Sequence, residues 1–429
     1  MTPPTSTPGS RQGRVDMGHV EDRWHRVVKD EEGKPVLGPS GKPVLERSDL
    51  YGKGMRYRVR YIGPNGREKS ESFPDRKKRE ADAFLIEVES KKLSGTYIDP
   101  DAGRITFAAY ADRWFDLRPV DVSTRVQTRD NLRLHVLPFF GSRPLASIGP
   151  SQIREWDAEL ATKLASSYRS SLFSHVNMIL EAAVDDGLIG KNPCSAKSVI
   201  RPKAEQRKVV PWTLDRVLAM RAGLMPRYRA MVDVAASCGL RQGEVFGLGT
   251  HDIDTETGWL HVRRQIKWIR GRLVFGLPKS DKERRAPLPV SVGQTLGKHL
   301  ANHPAVLITL PWEDPDSAEL VTVPLVFTSQ RHTAISRPTF DVHWRRICAR
   351  VGIPKDPRNG MHALRHFYAS ALLDAGRSIR AVSEYLGHSN PAFTLRVYMH
   401  LMPGDDEITR DALHGLLDEA KPDDGLGTA

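Results

Sequence analysis

Five residues of types that can act on a phosphodiester follow one another in the second half of the chain. They are Arg241, His362, Arg365, His388 and Tyr398. Cleaving DNA without a metal requires a nucleophile for phosphorus, cations for the non-bridging oxygens, and a proton for the leaving sugar oxygen. A phenol can be the nucleophile, and arginine stays charged and grips phosphate oxygens with a planar fork. The ordered set therefore predicts attack on a phosphodiester, although each residue alone says little.

The leaving oxygen also needs a proton donor, which this set does not include. Residues 275–285 read Phe-Gly-Leu-Pro-Lys-Ser-Asp-Lys-Glu-Arg-Arg, which predicts two strands joined by a polar turn. Lys279 would lie at the strand end and Lys282 in the turn, and a lysine on a mobile hairpin can reach a leaving oxygen. We favour Lys279 for its position, and Lys282 remains the alternative.

Local sequence signals predict the elements that position these side chains. Gly239 is expected to end one helix, so that Arg241 opens the next, with Glu244 three residues on to hold the guanidinium. His362 and Arg365 are three apart and would share one helical face.

A separate short helix is predicted to carry the tyrosine. Asn390-Pro391 is typical of a helix start, with a capping side chain followed by proline at the first position. Thr394 and Tyr398 would then lie on one face of this helix.

Length and composition indicate the general class of protein. The chain has 429 residues, which suggests two to four domains, and its hydrophobic content of 39% and charged content of 27% predict a globular protein. We find no apolar run of membrane-spanning length and no signal peptide after Met1, so we expect a cytoplasmic protein. The odd and widely spaced cysteines Cys194, Cys238 and Cys348 argue against a disulfide framework.

The charge balance is strongly basic. A net charge of +12 and a pI of about 9.6 favour a polyanionic partner, with nucleic acid ahead of membrane. The alternative is a basic protein with no role on nucleic acid.

The N-terminal region predicts a small basic domain. Residues 1–50 are expected to be a disordered N-terminus followed by a loop or hairpin insertion. The first twenty or so are rich in Pro, Ser, Thr and Gly, and Gly-Lys-Pro-Val-Leu then occurs twice, at 33–37 and 41–45. Residues 51–102 predict a small three-stranded sheet with one helix. Alternation over 55–61 would place three arginines on one face and Tyr57, Val59 and Tyr61 on the other. A DNA-facing sheet is our preferred interpretation, and a merely solvated face is the alternative. Its candidate DNA contacts are Arg56, Arg58, Arg60, Arg67 and Lys69.

The sequence after residue 102 predicts a helical domain followed by a domain of helices and strands. Residues 103–200 are expected to be all-helical, with candidate DNA contacts Arg125, Arg133, Lys163 and Arg169, and residues 201–210 to be a linker. Residues 211–403 predict an α+β domain in which 302–321 form a surface loop. In the tail, 404–429, an apolar stripe at helical spacing predicts a further helix. The chain is thus expected to be multidomain and mainly α, with small β-sheets.

Several motifs together resemble the tyrosine recombinases, specifically the phage-type integrases. The resemblance covers about 210–403 and rests on motifs in a fixed order: Gly-Leu-Arg-Gln-Gly-Glu, Pro-Lys-Ser-Asp-Lys-Glu-Arg-Arg-Ala-Pro-Leu, His-Ala-Leu-Arg-His, Leu-Gly-His-Ser and Thr-Leu-Arg-Val-Tyr-Met-His. The helical region is similar to the family's core-binding domain, and the basic sheet resembles its arm-binding domain.

The resemblance implies a role for each site residue. Tyr398 would form a 3′-phosphotyrosyl link, Arg241 and Arg365 would clamp the scissile phosphate, and Lys279 would protonate the 5′ oxygen. His362 would act as acid or base and His388 would bind the phosphate. Glu244 and Thr394 would support them.

The resemblance also implies partners. It predicts a homotetramer on double-stranded DNA attachment sites in a bacterial host cytoplasm, associated with the nucleoid. An excisionase-type directionality factor or a DNA-bending protein would assist, and neither ATP nor a metal cofactor would be needed. The tail helix would dock on a neighbouring protomer or, equally, on its own catalytic domain.

Parts of the sequence are also compatible with other functions. A non-catalytic DNA-binding protein would use the same basic surfaces but has no reason to keep the tyrosine, histidines and arginines in order. A type IB topoisomerase uses similar chemistry, and the arm-like domain argues against it. A zinc site of His362, His366, His388 and His400 is a further alternative, disfavoured because no Cys, Asp or Glu completes a usual ligand set.

Overall fold

The protein is multidomain and mainly helical, with several small antiparallel sheets, as predicted. The computed structural model describes residues 18–63, 66–95, 97–99, 101–203, 209–279, 282–388 and 390–401. Two compact units are present, one of Met1–Pro119 with Thr128–Glu205 and one of Val120–Gln127 with Gln206–Ala429. None of the helices in the described ranges has both the length and the apolar character to cross a membrane. The tail helix predicted over 404–429 lies outside the described residues.

The first unit begins with strands and one helix. These are β1 (His19–Asp22), β2 (His25–Val27), β3 (Leu45–Arg47), β4 (Tyr57–Ile62), β5 (Glu68–Phe73) and α1 (Lys78–Leu93). A three-stranded antiparallel sheet has the order β1-β4-β5, with Tyr57 opposite both Asp22 and Phe73. Tyr57, Val59 and Tyr61 are buried against α1, which confirms the alternation predicted for this strand.

The first strand of this sheet comes from the segment for which the sequence predicts a disordered N-terminus and an insertion, so that prediction is wrong for β1. β1 precedes the expected domain start at residue 51 by about thirty residues and pairs with β4. Its sequence, His-Val-Glu-Asp, is too short and polar for its periodicity to be recognised. The repeated Gly-Lys-Pro-Val-Leu segments lie between β2 and β3, which pair with each other, so the hairpin prediction for this region is confirmed.

Helices make up the rest of the first unit. They are α2 (Phe107–Asp116), α3 (Val122–Asn131), α4 (Leu137–Phe140), α5 (Pro150–Ala161) and α6 (Ser166–Asp185). The start of α3, residues 122–127, is assigned to the second unit. Between α3 and α4 the chain forms a wider π-helical turn over Leu132–Val136. Pro138 follows two residues after this turn, and because proline has no N–H, the regular bonding pattern cannot continue through it. Buried aromatic rings, including Phe107, Phe140 and Trp156, form the core of this region.

The second unit mixes helices with short strands. Its elements are α7 (Leu214–Gly223), α8 (Pro226–Cys238), α9 (Gln242–Phe246), β6 (Ile253–Asp254), β7 (Trp259–Val262), β8 (Gln265–Ile269), β9 (Arg272–Gly276), β10 (Arg284–Pro287), α10 (Val290–Asn302), β11 (Val306–Pro311), β12 (Leu320–Leu325), α11 (Arg337–Arg350), α12 (His362–Asp374), α13 (Ile379–Leu386) and α14 (Pro391–Tyr398). Its sheets are β10-β7-β6, β8-β9 and β11-β12. α8 is the central helix, with Met231, Val232, Val234 and Ala235 fully buried.

The prediction of a surface loop over 302–321 is wrong. Residues 306–311 and 320–325 pair over six positions as a β-hairpin, and only the connection between them is irregular. The prolines and acidic residues that suggested a loop lie mostly in that connection. Glu313 at its start accepts hydrogen bonds from Lys267 Nζ (2.6 Å) and the backbone nitrogen of Leu277 (2.6 Å), which ties the hairpin to the neighbouring strands.

Candidate active site

Arg241 lies at the junction of two helices, where the sequence predicted it. Gly239 ends α8 in the left-handed conformation, with φ of +67°, and an added Cβ there would collide with the ring of Tyr368. Glycine is therefore required both for the turn and for close packing against α12. Arg241 caps the next helix, α9, and its side chain is largely buried.

A buried carboxylate holds two guanidinium groups at this junction. Glu244, which is 1% exposed, accepts hydrogen bonds from Arg241 Nη1 (2.9 Å) and from the backbone nitrogen of Arg241 (2.8 Å). The same carboxylate receives Nη1 (2.8 Å) and Nη2 (2.6 Å) of Arg284 on β10. The support that the sequence predicted from Glu244 to Arg241 is therefore present, and Arg284 is an addition that sequence reasoning missed.

The charge state of Glu244 follows from these partners. Burial alone would raise the pKa of its carboxyl group. The hydrogen bonds and charge of Arg284, together with the charges of Arg241 and Arg365, lower that pKa to about 2. The carboxylate is thus ionised at neutral pH. Three guanidinium groups surround a single carboxylate, so the site has an excess of positive charge suited to a phosphodiester.

Arg365 is the most deeply buried cation of the site, at 1% exposure. Its Nη1 donates to the carbonyl of Gly239 (2.6 Å), and its Nη2 donates to the carbonyl of Leu386 and to Nε2 of His388 (3.1 Å). Burial lowers the pKa of the guanidinium to about 9, so it remains protonated at neutral pH. These bonds connect the ends of α8 and α13 through one side chain on α12.

His388 follows a second left-handed glycine, Gly387, whose missing Cβ leaves room for the Arg284 side chain. Its Nε2 faces a donor, Nη2 of Arg365, and must therefore accept. Nδ1 then carries the proton and donates to the hydroxyl of Thr394, 2.7 Å away. Burial, followed by the nearby arginines, lowers the pKa of His388 to about 3, so the ring is neutral.

Tyr398 lies at the end of α14, which begins at Pro391 after its predicted cap, Asn390. The Asn390 side chain accepts from the backbone nitrogen of Ala392. The tyrosine is 2% exposed, and its hydroxyl is 2.7 Å from Nδ1 of His366 on α12. Burial raises the pKa of the phenol to about 12. Thr394 is buried on the same helix, so the predicted shared face is confirmed.

His366 is the second residue that sequence reasoning missed, since the sequence suggests for it only a role as a zinc ligand. Burial and then the charge of Arg365 lower its pKa to about 4, so its ring is neutral at physiological pH. The available signal was its position one helical turn after His362, on the face that also presents Arg365.

His362 lies at the open side of the site. Its ring stands edge-on to that of His366, with centroids 4.7 Å apart, and the residue is exposed overall. Partial burial of the ring lowers its pKa, and His366, Arg365 and Arg241 act in the same direction. His362 is therefore neutral at physiological pH and accessible to a bound molecule.

The lysines are not placed as the sequence predicted. β9 pairs with β8 and β10 pairs with β7, so the two strands that flank the lysines belong to different sheets and do not form a hairpin. Lys279 lies three residues beyond the end of β9, in a connection that also contains Lys282, and both are exposed. The prediction failed because β9 and β10 each pair with a different strand, and the sequence of the polar connection between them carries no signal of that pairing. The structure brings neither lysine into the buried cluster.

The four histidines of the zinc alternative do not converge. His400 donates from Nε2 to the carbonyl of Val209 (2.7 Å), while His366 and His388 bond to Tyr398 and Thr394. Within the described part of the chain, no group of three or more His, Cys, Asp or Glu side chains is placed to hold a metal ion.

The predicted DNA contacts of the first 200 residues are mostly engaged in ion pairs. Arg67 and Arg125 also have interaction partners, and the buried Nε of Arg58 has no hydrogen-bond partner within the described ranges. The pairs join Arg56 to Asp22 (2.8 Å) and Asp75 (2.9 Å), Arg60 to Glu21 (3.1 Å) and Glu68 (2.7 Å), Lys69 to Asp101 (2.8 Å), Arg133 to Asp130 (3.3 Å), Lys163 to Glu159 (3.2 Å) and Arg169 to Asp157 (3.0 Å).

Comparison with known families finds two matches along the chain. Residues 215–404 match the model of the phage integrase family, and residues 106–161 match the phage integrase N-terminal SAM-like domain. A putative prophage phiRv2 integrase of Mycobacterium tuberculosis is 27% identical over 356 residues, which are 82% of this chain and 90% of that protein.

Solved structures with a similar fold include two integrases. The Tn1549 transposon integrase, solved in complex with transposon right end DNA, aligns with a TM-score of 0.61 at 19% identity and covers 73% of this chain and 100% of its own. A lambda integrase tetramer bound to a Holliday junction aligns with a TM-score of 0.52 at 18% identity, covering 78% and 93%. At these identities the structures establish similarity of fold.

Proposed function

Because the chain belongs to the phage integrase family of tyrosine recombinases, and is accordingly a site-specific DNA recombinase, we propose that Tyr398 is its nucleophile. The observation that carries this assignment is the burial of the Tyr398 hydroxyl beside His366, in the same site as the arginine cluster around Glu244. Attack of the phenolic oxygen on phosphorus would leave a 3′-phosphotyrosyl link and a free 5′ hydroxyl. The link conserves the energy of the phosphodiester, so strands can be rejoined without ATP.

Arg241 and Arg365 are proposed to bind the non-bridging oxygens of the scissile phosphate. Both are already oriented before DNA binds, Arg241 by Glu244 and Arg365 by backbone carbonyls. Such preorganised charge stabilises the transition state because little reorganisation is needed at the moment of reaction. The excess positive charge around Glu244 supports this role.

The remaining groups are proposed to handle hydrogen bonds and protons. His388, oriented by Thr394, would bind a phosphate oxygen through Nε2 once that nitrogen carries the ring proton, a tautomer that the Thr394 hydroxyl permits because it can also donate to Nδ1. His362, at the open side, would act as acid or base toward the DNA. Lys279 would protonate the 5′ oxygen, and since it is exposed in the free protein, its connection would have to move onto the DNA.

The other regions are proposed to hold DNA. The sheet β1-β4-β5 would contact arm-type sites through Arg56, Arg58, Arg60, Arg67 and Lys69. The helical region would contact the core site through Arg125, Arg133, Lys163 and Arg169. For the paired residues, phosphates would have to compete with the acidic partners that they have in the free protein. Binding should therefore depend strongly on salt.

We further propose a homotetramer on paired attachment sites, which integrates a phage or other mobile element in a bacterial cell. The lambda integrase tetramer on a Holliday junction supports this proposal through its similar fold. A directionality factor or a DNA-bending protein would favour excision.

The rival function is DNA binding without cleavage, and one pair of variants separates the two. Purified protein is mixed with DNA carrying the candidate attachment sites, and adducts that survive denaturant are measured. Tyr398→Phe should abolish the adduct and leave DNA binding intact. The control Tyr385→Phe alters a nearby tyrosine that packs on Trp259 and should form the adduct normally. Absence of any adduct with the unmodified protein would favour the rival.

A further inference from the structure

We propose that His366, rather than His362, is the general base that takes the proton of the Tyr398 hydroxyl as the phenolic oxygen attacks phosphorus. The inference deepens the proposed function and rests on it. In the step, the O–H bond of Tyr398 breaks and its proton moves to Nδ1 of His366. The phenolic oxygen forms a bond to phosphorus, the bond from phosphorus to the 5′ oxygen breaks, and that oxygen takes a proton from the separate donor. Rejoining reverses each transfer.

The contact between the two groups has the geometry of a proton transfer. The phenolic oxygen and Nδ1 are 2.7 Å apart, within the range that a general base requires. Among the residues that the structure describes, His366 is the hydrogen-bond partner of this hydroxyl. His362 contacts the ring of His366, and within the described ranges it makes neither a ring contact nor a hydrogen bond with Tyr398.

The protonation states of the pair fit this role. Buried Tyr398 has a pKa near 12, so the free phenol supplies almost no phenolate at neutral pH. His366 is neutral because burial and Arg365 keep its pKa low. The role of base requires the hydroxyl to donate to Nδ1, which places the ring proton on Nε2 and leaves Nδ1 with a free lone pair.

In the reacting complex, the negative charge of the phosphate would balance the positive charge that His366 gains. In the free protein an imidazolium here would face the positive charge of Arg365. A scissile phosphate bound by Arg241 and Arg365 would bring negative charge to the same place and raise the basicity of the ring. DNA binding would therefore switch the base on, which restrains the tyrosine until a phosphate is present.

The test measures single-turnover cleavage of DNA whose scissile 5′ oxygen is replaced by sulfur, so that the leaving group needs no proton. With this substrate the wild-type rate should be flat from about pH 6 to pH 9. His366→Gln, which retains a hydrogen-bond acceptor but no base, should be slower by about a hundredfold at pH 7. Its rate should rise about tenfold per pH unit, because the phenol must then ionise by itself. The affinity of His366→Gln for DNA, and the dependence of that affinity on salt, should equal those of the wild-type protein.

Two further variants keep the proposal falsifiable. His366→Ala should be partly restored by added imidazole, and imidazole should not restore Tyr398→Phe. His362→Gln should keep the flat pH profile on the sulfur substrate. A normal rate and flat profile for His366→Gln, or the steep profile for His362→Gln, would overturn the assignment. Failure of the wild-type protein to form any adduct would instead contradict the proposed function itself.

Discussion

The hydroxyl of Tyr398 and Nδ1 of His366 are 2.7 Å apart, although the two residues are 32 positions apart in sequence. The contact joins α14 to α12, the helix that also carries His362 and Arg365. A buried phenol, a neutral imidazole and a preorganised guanidinium therefore lie within one site before any DNA is bound. The free protein already has the tyrosine inside its site. We therefore expect the cleavage rate to be limited by DNA binding and by movement of the connection between β9 and β10, which contains Lys279 and Lys282.

Glu244→Gln should destabilise the fold. The substitution leaves Arg241 and Arg284 without the carboxylate that they share, and breaking a buried ion pair in this way costs roughly 3–5 kcal/mol. Urea unfolding at pH 7 measures the change. Glu283→Gln, at an exposed glutamate in the lysine connection, is the matched control and should change the free energy of unfolding by less than about 0.5 kcal/mol.

The same variant has a defined dependence on pH. The pKa of Glu244 falls from 4.5 to about 2 on folding, so its ionisation stabilises the protein above pH 4.5, and that stabilisation is lost as pH falls toward 2. The difference in free energy of unfolding between wild type and Glu244→Gln should therefore shrink on acidification from pH 5 to pH 3. A difference that is constant over this range would show that Glu244 is not the ionised centre of the cluster.

Arg284→Lys should slow cleavage without removing a charge. Lysine cannot reproduce the two bonds of Arg284 to Glu244 together with its Nε bond to the carbonyl of Tyr385 (2.9 Å). Loss of one charge-assisted hydrogen bond corresponds to about tenfold to a hundredfold in rate when it positions Arg241. Arg285→Lys, on the same strand with its guanidinium 4.3 Å from the Trp259 ring centroid, is the control and should cleave normally. Equal cleavage rates for Arg284→Lys and Arg285→Lys would show that Arg284 does not position Arg241.

Thr394→Val should impair His388. The hydroxyl of Thr394 can accept from Nδ1 or donate to it, and so it supports either neutral tautomer of the ring. Valine keeps the shape and removes this bond, so the cleavage rate should fall about tenfold with little change in DNA affinity. Thr394→Ser should restore the rate because it restores the hydroxyl. If the serine variant is as slow as the valine variant, packing of the methyl group is the cause.

The two exposed lysines can be separated by their response to the leaving group. Lys279→Ala should reduce cleavage of ordinary DNA by about a hundredfold or more, and a sulfur leaving group should restore it. Lys282→Ala should stay within a few fold on both substrates. The opposite pattern would assign the proton donor to Lys282.

Local signals in the sequence predicted much of this site. The turn at Gly239, the cap at Asn390 and the helical spacing of His362 and Arg365 depend on neighbouring residues, and each is present in the structure. Alternation likewise identified the buried face of β4.

Contacts between distant segments were not predictable in the same way. Arg284 meets Glu244 across 40 positions, and His366 meets Tyr398 because α12 packs beside α14. Nothing in the polar connection after β9 indicates that its flanking strands pair with different partners. Such pairings depend on tertiary packing, which overrides local patterns.

The most direct test of the central claim is to digest the denatured DNA adduct with protease and nuclease and locate the modified residue by mass spectrometry. We predict a nucleotide joined through its 3′ phosphate to the peptide that contains Tyr398. A nucleotide attached to Tyr368, Tyr385 or any other residue, or a link through a 5′ phosphate, would contradict the assignment of Tyr398 as the nucleophile.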